Sequence, residues 1–161
     1  MTEGSTRDTF DTARSVAAVG MVAAGAATIV GTLMDWVTIT PPVLIPIDQV
    51  AQAEPFTGLD TKSGPYLLIA AGVMILSALL LVVRRRPLYA WIGFLSTMII
   101  GGIGFQNYRG LDELFFEQMD GIGTPAPGLG LRLVVAGGIV GLIAVAGGLA
   151  GTPAEAKPEP T

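Results

Sequence analysis

Leu79-Leu80-Leu81-Val82-Val83-Arg84-Arg85-Arg86-Pro87-Leu88-Tyr89 sets an apolar run directly against three arginines, and a second apolar run starts at once. Guanidinium groups cross a hydrocarbon layer only at high cost, and short loops rich in Arg and Lys stay on the cytoplasmic side of a membrane. The stretch therefore reads as a cytoplasmic turn between two membrane helices, with Arg84, Arg85 and Arg86 as its topological marker. The orientation of every other segment follows from that turn.

Four spans can be laid out from the arginines. Upstream, Gly64 to Val83 lies in a charge-free run of 21 residues between Lys62 and Arg84. Downstream, about Leu88 to Phe105 lies within 22 uncharged residues between Arg86 and Arg109. Pro87 suits the first turn of that helix, where its missing N–H is harmless. Ser15 to Met34 gives 20 uncharged residues between Arg14 and Asp35. Leu131 to Ala150 completes the set, with Arg132 near enough to its outer end to snorkel. At roughly 1.5 Å per residue, runs of this length cross the roughly 30 Å of hydrocarbon. A cleaved signal peptide ending near Ala24-Gly25-Ala26 is the rival reading of the first run, which is longer than the usual apolar region of such a peptide.

Composition points the same way. Of 161 residues, 51% are hydrophobic and 14% charged, and the mean hydropathy is +0.63, leaving too little polar surface for a soluble domain of this size. Cys and His are both absent, which removes disulfides, thiolate chemistry, imidazole metal sites and histidine proton shuttling. No cofactor, metal site or nucleic-acid partner is expected. The Ala-, Gly- and Arg-rich usage is typical of GC-rich bacteria.

The expected fold class is all-α: an integral membrane four-helix bundle over residues 15–150, with helices at about 15–34, 64–83, 88–105 and 131–150. A polar tail of residues 1–14, with at most one helical turn, precedes it, and a Pro-rich disordered tail of residues 151–161 follows. Both termini are expected in the cytoplasm of a bacterium, with the chain multi-pass in the plasma (inner) membrane. On that topology the inside segments hold Arg7, Arg14, Arg84, Arg85, Arg86 and Lys157, six of the nine basic residues, while eight of the thirteen acids fall outside. Trp36, Tyr89 and Trp91 are expected at headgroup depth as interfacial anchors.

The outer loops carry the unusual chemistry. Thr40-Pro41-Pro42-Val43-Leu44-Ile45-Pro46-Ile47 is apolar, yet its prolines forbid a regular helix. An extended segment results, with Pro42 and Pro46 as candidate partner contacts or as part of a loop tucked over its own bundle. In the second loop Leu111, Leu114, Phe115 and Met119 recur at helical spacing, with Asp112, Glu113, Glu117 and Asp120 between them. That pattern predicts a short amphipathic helix, acidic on its polar side, docked through Leu114 and Phe115 on the bundle or on a partner.

No ionisable residue lies in the middle of any span, which disfavours ion pathways and coupled transport. Thr28, Thr32, Ser77, Ser96 and Thr97 are expected to hydrogen-bond locally or between helices. Catalysis is not expected, since Asp112, Glu113 and Glu117 read as the solvated face of a surface helix. Small residues recur at close-packing spacing in Ala23-Ala27-Gly31, Gly93-Thr97-Gly101, Gly137-Gly141 and Ala144-Gly148. Among these, Gly93, Gly101, Gly137 and Gly141 are candidate contacts for a partner helix. Residues 64–73 also align with residues 130–139 at an offset of 66, and Gly58-Leu59-Asp60 recurs as Gly110-Leu111-Asp112. The two alternatives are a duplicated hairpin and a chance match between apolar helices.

In architecture over residues 15–150, with Trp36 just after the first span and Gly-Leu ahead of the second, the chain superficially resembles claudin-type tetraspans but lacks their cysteine pair. It more closely resembles small actinobacterial four-span proteins, such as LucB-like subunits of Mce lipid-uptake transporters and association factors of respiratory supercomplexes. That resemblance implies a non-catalytic accessory or stabilising subunit of a larger integral membrane complex in contact with membrane lipids. Lipid uptake is the first expectation for the complex and respiration the second. The alternative is a small homo-oligomeric channel or lipid carrier. Orientation is directly testable, because a chain without cysteine accepts single probes. Lys62→Cys should react with an impermeant maleimide in intact cells, and Arg85→Cys only after permeabilisation; the reverse pattern would invert the topology.

Overall fold

The computed structural model describes residues 3–40, 56–111 and 124–150, with side chains for residues 11–38, 56–111 and 125–150. Four helices run as α1 (Glu3–Leu33), α2 (Gly64–Arg84), α3 (Pro87–Arg109) and α4 (Leu129–Ala150). Each is long and apolar enough to cross a membrane, α1 through its Asp11–Leu33 portion. Packing proceeds around a ring, α1 to α2, α2 to α3, α3 to α4 and α4 back to α1, and the last interface is the most extensive. The chain is thus a multi-pass membrane protein built as a four-helix bundle.

The buried positions repeat every seven residues. In α1 they include Arg14, Met21 and Thr28 as one row and Ala17, Ala24 and Gly31 as another. In α2 they include Gly64, Ala71 and Ala78, and in α4 Leu131, Gly138 and Val145. A seven-residue repeat is 3.5 residues per turn, which keeps one seam facing the neighbours only if the helices coil left-handedly. The outward faces are as apolar as the interior: Val19, Ile69, Leu76, Leu95, Ile99 and Ile143 are all exposed. Lipid is the solvent such a surface requires.

Helix α1 differs from the sequence expectation by beginning at Glu3, so the segment read as a tail is largely helical. The ion pair of Arg14 with Asp11, one turn earlier at 3.2 Å, lets a charged side chain sit at the end of the core without interrupting the helix. Helix α3 likewise runs on to Arg109, whose guanidinium lies 5.7 Å from the centre of the Phe105 ring. Pro87 opens α3, as the sequence indicated.

Where α1 meets α4 the backbones nearly touch. A methyl group placed on Gly31 would stand 2.6 Å from the Gly130 carbonyl oxygen, one on Gly137 would stand 2.7 Å from Thr28 Oγ1, and one on Gly20 would stand 2.7 Å from Ala144 Cβ. The small-residue face of α1 is therefore Ala17, Gly20, Ala24, Thr28 and Gly31, with Ala23 pointing outward. Of the spacing Ala23-Ala27-Gly31 only Gly31 lies on that face, because a four-residue step drifts around a helix whose buried rows repeat every seven. The same rotation separates α2 from α4 in the proposed repeat. At an offset of 66, buried Ala70, Met74 and Ser77 fall on exposed Ala136, Val140 and Ile143, whereas the buried faces coincide at 67.

A two-stranded antiparallel ribbon, β1 (Val37–Thr40) with β2 (Thr124–Pro127), adds to the expected helices; its register pairs Val37 with Pro127 and Thr40 with Thr124. The expected amphipathic helix of the second loop and the tail of residues 151–161 lie outside the described residues. Close approach at the α1–α4 seam makes a sharp stability prediction. Gly137→Val should lower unfolding stability in detergent by about 1–3 kcal/mol through overpacking, while Gly147→Val, which points into open space, should leave it unchanged.

Candidate functional site

The polar groups collect at the two ends of the bundle, so each end is a candidate site. At the ribbon end the organising side chain is Trp36. Expected at headgroup depth, it is instead buried within the protein at 2% exposure. Its Nε1–H donates to the Gly31 carbonyl at 2.9 Å, satisfying an acceptor near the C-terminus of α1, where carbonyls lose their helical partners. The Trp36 N–H donates to the Phe56 carbonyl (2.8 Å), and the Gly128 N–H donates to the Trp36 carbonyl (2.7 Å). A single residue thus joins α1, the segment before α2 and the start of α4. Gly58 lies against the indole so closely that a Cβ there would approach Trp36 Cε2 to 2.5 Å.

Beside the indole a short 3-10 turn, Gly58–Asp60, is closed by its own side chains. Asp60 Oδ2 accepts from the Thr57 N–H at 2.7 Å and from Thr57 Oγ1 at 2.9 Å. Thr61 Oγ1 donates to the Gly58 carbonyl at 2.6 Å and accepts from the Gly64 N–H at 3.1 Å, which caps the start of α2. Asn107 Nδ2 donates to Ser63 Oγ (3.4 Å) and to the Ile103 carbonyl (2.8 Å), linking α3 to the same cap. Arg132 was expected to snorkel; its Nε–H reaches back to the Pro127 carbonyl at 3.1 Å and fastens α4 to β2.

The ribbon has a topological consequence. Residues 41–55 leave from Thr40 and residues 112–123 return at Thr124, and those two residues are paired. The first segment rejoins the described structure at Phe56, hydrogen-bonded to Trp36, and the second departs from buried Leu111. Both connecting segments are therefore anchored to one cap. The candidate contacts Pro42, Pro46, Leu114 and Phe115 lie in these loops, outside the described residues.

The other candidate contacts are placed clearly. Gly93, Gly137 and Gly141 are buried against this chain's own helices: Gly93 beneath Met21, Gly137 against Thr28 and Gly141 against Thr97 and Met74. Their small size serves internal packing, which corrects the expectation that they face a partner. Gly101 offers its backbone to Gly138 of α4, while its Cβ direction is open. The hydroxyls at depth are satisfied locally: Thr28, Thr32, Ser77, Ser96 and Thr97 each donate to the carbonyl four residues earlier. Thr97 also approaches Met74 Sδ across the bundle at 3.4 Å. Between α2 and α3 a groove of about 290 Å³, lined by Tyr66, Ile69, Val73, Leu95, Ser96 and Ile99, opens toward the lipid side.

At the arginine end α2 closes on Arg84, Arg85 takes a left-handed conformation (φ 54°, ψ 26°), and Arg86 is extended ahead of Pro87. All three side chains are exposed. Arg85 Nη1 lies 3.4 Å from the Asp11 carboxylate, which ties the turn to α1. Trp91, 54% exposed, packs edge-on against Phe94 (centroids 5.8 Å apart) just beyond the turn. Tyr66 and Tyr108 are exposed at the opposite end, so aromatic residues stand at both borders of the apolar belt.

No protein-family model, curated protein or solved structure matches the chain. Trp36 was missed as an organiser because a tryptophan after a span reads equally as an anchor or as a plug; the nearby Gly58 was the available signal. Replacing Trp36 by Phe should strand the Gly31 carbonyl and lower unfolding stability by about 1–3 kcal/mol. A variant as stable as wild type in detergent unfolding would remove the indole from that role.

Proposed function

We propose that this chain is a non-catalytic accessory subunit of a larger complex in a bacterial inner membrane, with both termini cytoplasmic and both outer loops presented to a partner. The observation that carries this reading is the ribbon, which holds the ends of two long outer segments side by side over a rigid cap. Loops tied together in this way offer one combined surface, and binding through it requires less ordering than two independent segments would. The spans supply no ionisable group at depth and their hydroxyls are used internally, which argues for a scaffold over a conduit. The apolar Pro-rich loop and the acidic face expected in the second loop give that surface both hydrophobic and charged character. An Mce-type lipid-uptake transporter is the first candidate complex and a respiratory supercomplex the second, both resting on architectural resemblance alone.

The test is purification of the tagged full-length protein in mild detergent with mass spectrometry of its companions. A reproducible, stoichiometric set of transporter or respiratory subunits is the expected result and would name the complex. Recovery of the protein alone as a discrete homo-oligomer would overturn the accessory reading and direct attention to flux in liposomes.

A further inference from the structure

Arg14 occupies a core position. It begins the buried row that continues through Met21 and Thr28, and its side chain is only 9% exposed. Nη1 donates to Asp11 Oδ1 at 3.2 Å, but Nε is buried and has no hydrogen-bond partner among the described residues. A buried N–H without an acceptor costs about 1–3 kcal/mol, and more when the group is charged. The Asp11 carboxylate pairs through its other oxygen with Arg85 Nη1 at 3.4 Å, which leaves Arg14 Nε unserved.

The surroundings are strongly cationic. Met21 packs on Gly93 of α3, and one seven-residue step back along these two parallel helices leads to Arg14 and Arg86, roughly 10 Å lower. Arg14 therefore stands level with the turn of Arg84, Arg85 and Arg86, and the Asp11 carboxylate pairs with two of these guanidiniums, Arg14 and Arg85. Arg85 holds its place in a left-handed conformation that costs a non-glycine residue about 1–2 kcal/mol. Directly above, Leu79, Val82, Val83, Leu88 and Trp91 expose apolar side chains, the surface against which acyl chains lie. Guanidinium forks match the paired oxygens of a phosphate, and basic pockets between helices at a membrane border take lipid headgroups.

We propose that the arginine end of the bundle binds the phosphate of an anionic phospholipid, gripped by Arg14 from the core and by Arg84 to Arg86 from the turn. The phosphate accepts from the exposed guanidiniums of the turn and from the outer N–H groups of Arg14, while the acyl chains run along the ends of α2 and α3. The site is independent of whether the chain serves a larger complex.

Thermal unfolding of the full-length protein in neutral detergent micelles tests this, with added phosphatidylglycerol, phosphatidylcholine or inorganic phosphate. Phosphatidylglycerol should raise Tm by several degrees, as a ligand bound only by the folded state does, and phosphatidylcholine should not. The exposed triple variant Arg84→Gln, Arg85→Gln, Arg86→Gln should keep the fold and lose most of that shift, and Arg14→Gln should reduce it further than its own change in Tm explains. Equal shifts with both lipids, or an undiminished shift in the triple variant, would overturn the proposal. A full shift with inorganic phosphate would make this a free-anion site and overturn the lipid assignment. A shift that appears only after Glu155→Gln and Glu159→Gln would show that the C-terminal carboxylates occupy the arginines instead.

Discussion

The close approach of α1 and α4 governs the rest of the molecule. Inside a bilayer, lipid tails are as apolar as leucine, so helices gain little from hiding hydrophobic side chains and must associate through backbone proximity and van der Waals contact. Gly20, Ala24 and Gly31 on one helix against Gly130, Gly137 and Ala144 on the other supply that proximity along the whole seam. The approach reaches its limit at Gly31 and Gly130, where each glycine meets the other's carbonyl oxygen. The chain leaving α1 and the chain entering α4 therefore run within pairing distance. The Gly128 and Gly130 N–H groups bond to the Trp36 and Asp35 carbonyls, and the β1–β2 ribbon continues the same convergence outward.

The two ends of the bundle resolve their polar groups in opposite ways. Around Trp36 the donors and acceptors are matched by neighbours a few residues away: Thr57 with Asp60, Thr61 with Gly58 and Gly64, the indole with Gly31. The connecting segments of residues 41–55 and 112–123 start and end at this cap. At the arginine end a single described carboxylate serves two guanidiniums at 3.2 and 3.4 Å while a buried N–H is left over. A further anion at the membrane surface is what the proposed lipid site would add there. One end is thus closed upon itself, and the other keeps its guanidiniums exposed.

Between the ends, the polar and small residues of the spans are used within the bundle. Each buried hydroxyl folds back onto its own helix, which satisfies the oxygen without committing it to a substrate. The glycines Gly93, Gly137 and Gly141 are consumed in packing four helices at short range. Outward among the described residues is a belt mainly of Val, Leu, Ile and aromatic side chains, with open glycine positions such as Gly72, Gly102 and Gly147.

The sequence by itself determined the number of spans, their approximate limits, the Arg84–Arg86 turn and Pro87 as the start of α3, because hydrocarbon thickness and the cost of burying charge act on composition, residue by residue. For the hydroxyls at depth it left local and interhelical bonds open, and the structure shows each donating to the carbonyl four residues earlier. The tertiary structure decided which face of each helix is inside. Ala24 replaced Ala23, and the buried faces of α2 and α4 coincide at an offset of 67 instead of 66, because in a chain apolar on all sides no hydrophobic periodicity separates core from lipid. The ribbon, the burial of Trp36 and the stranded Arg14 N–H likewise arise from contacts between distant segments. Their geometry is set by how closely the helices pack, a property of pairs of helices that no single stretch of sequence contains.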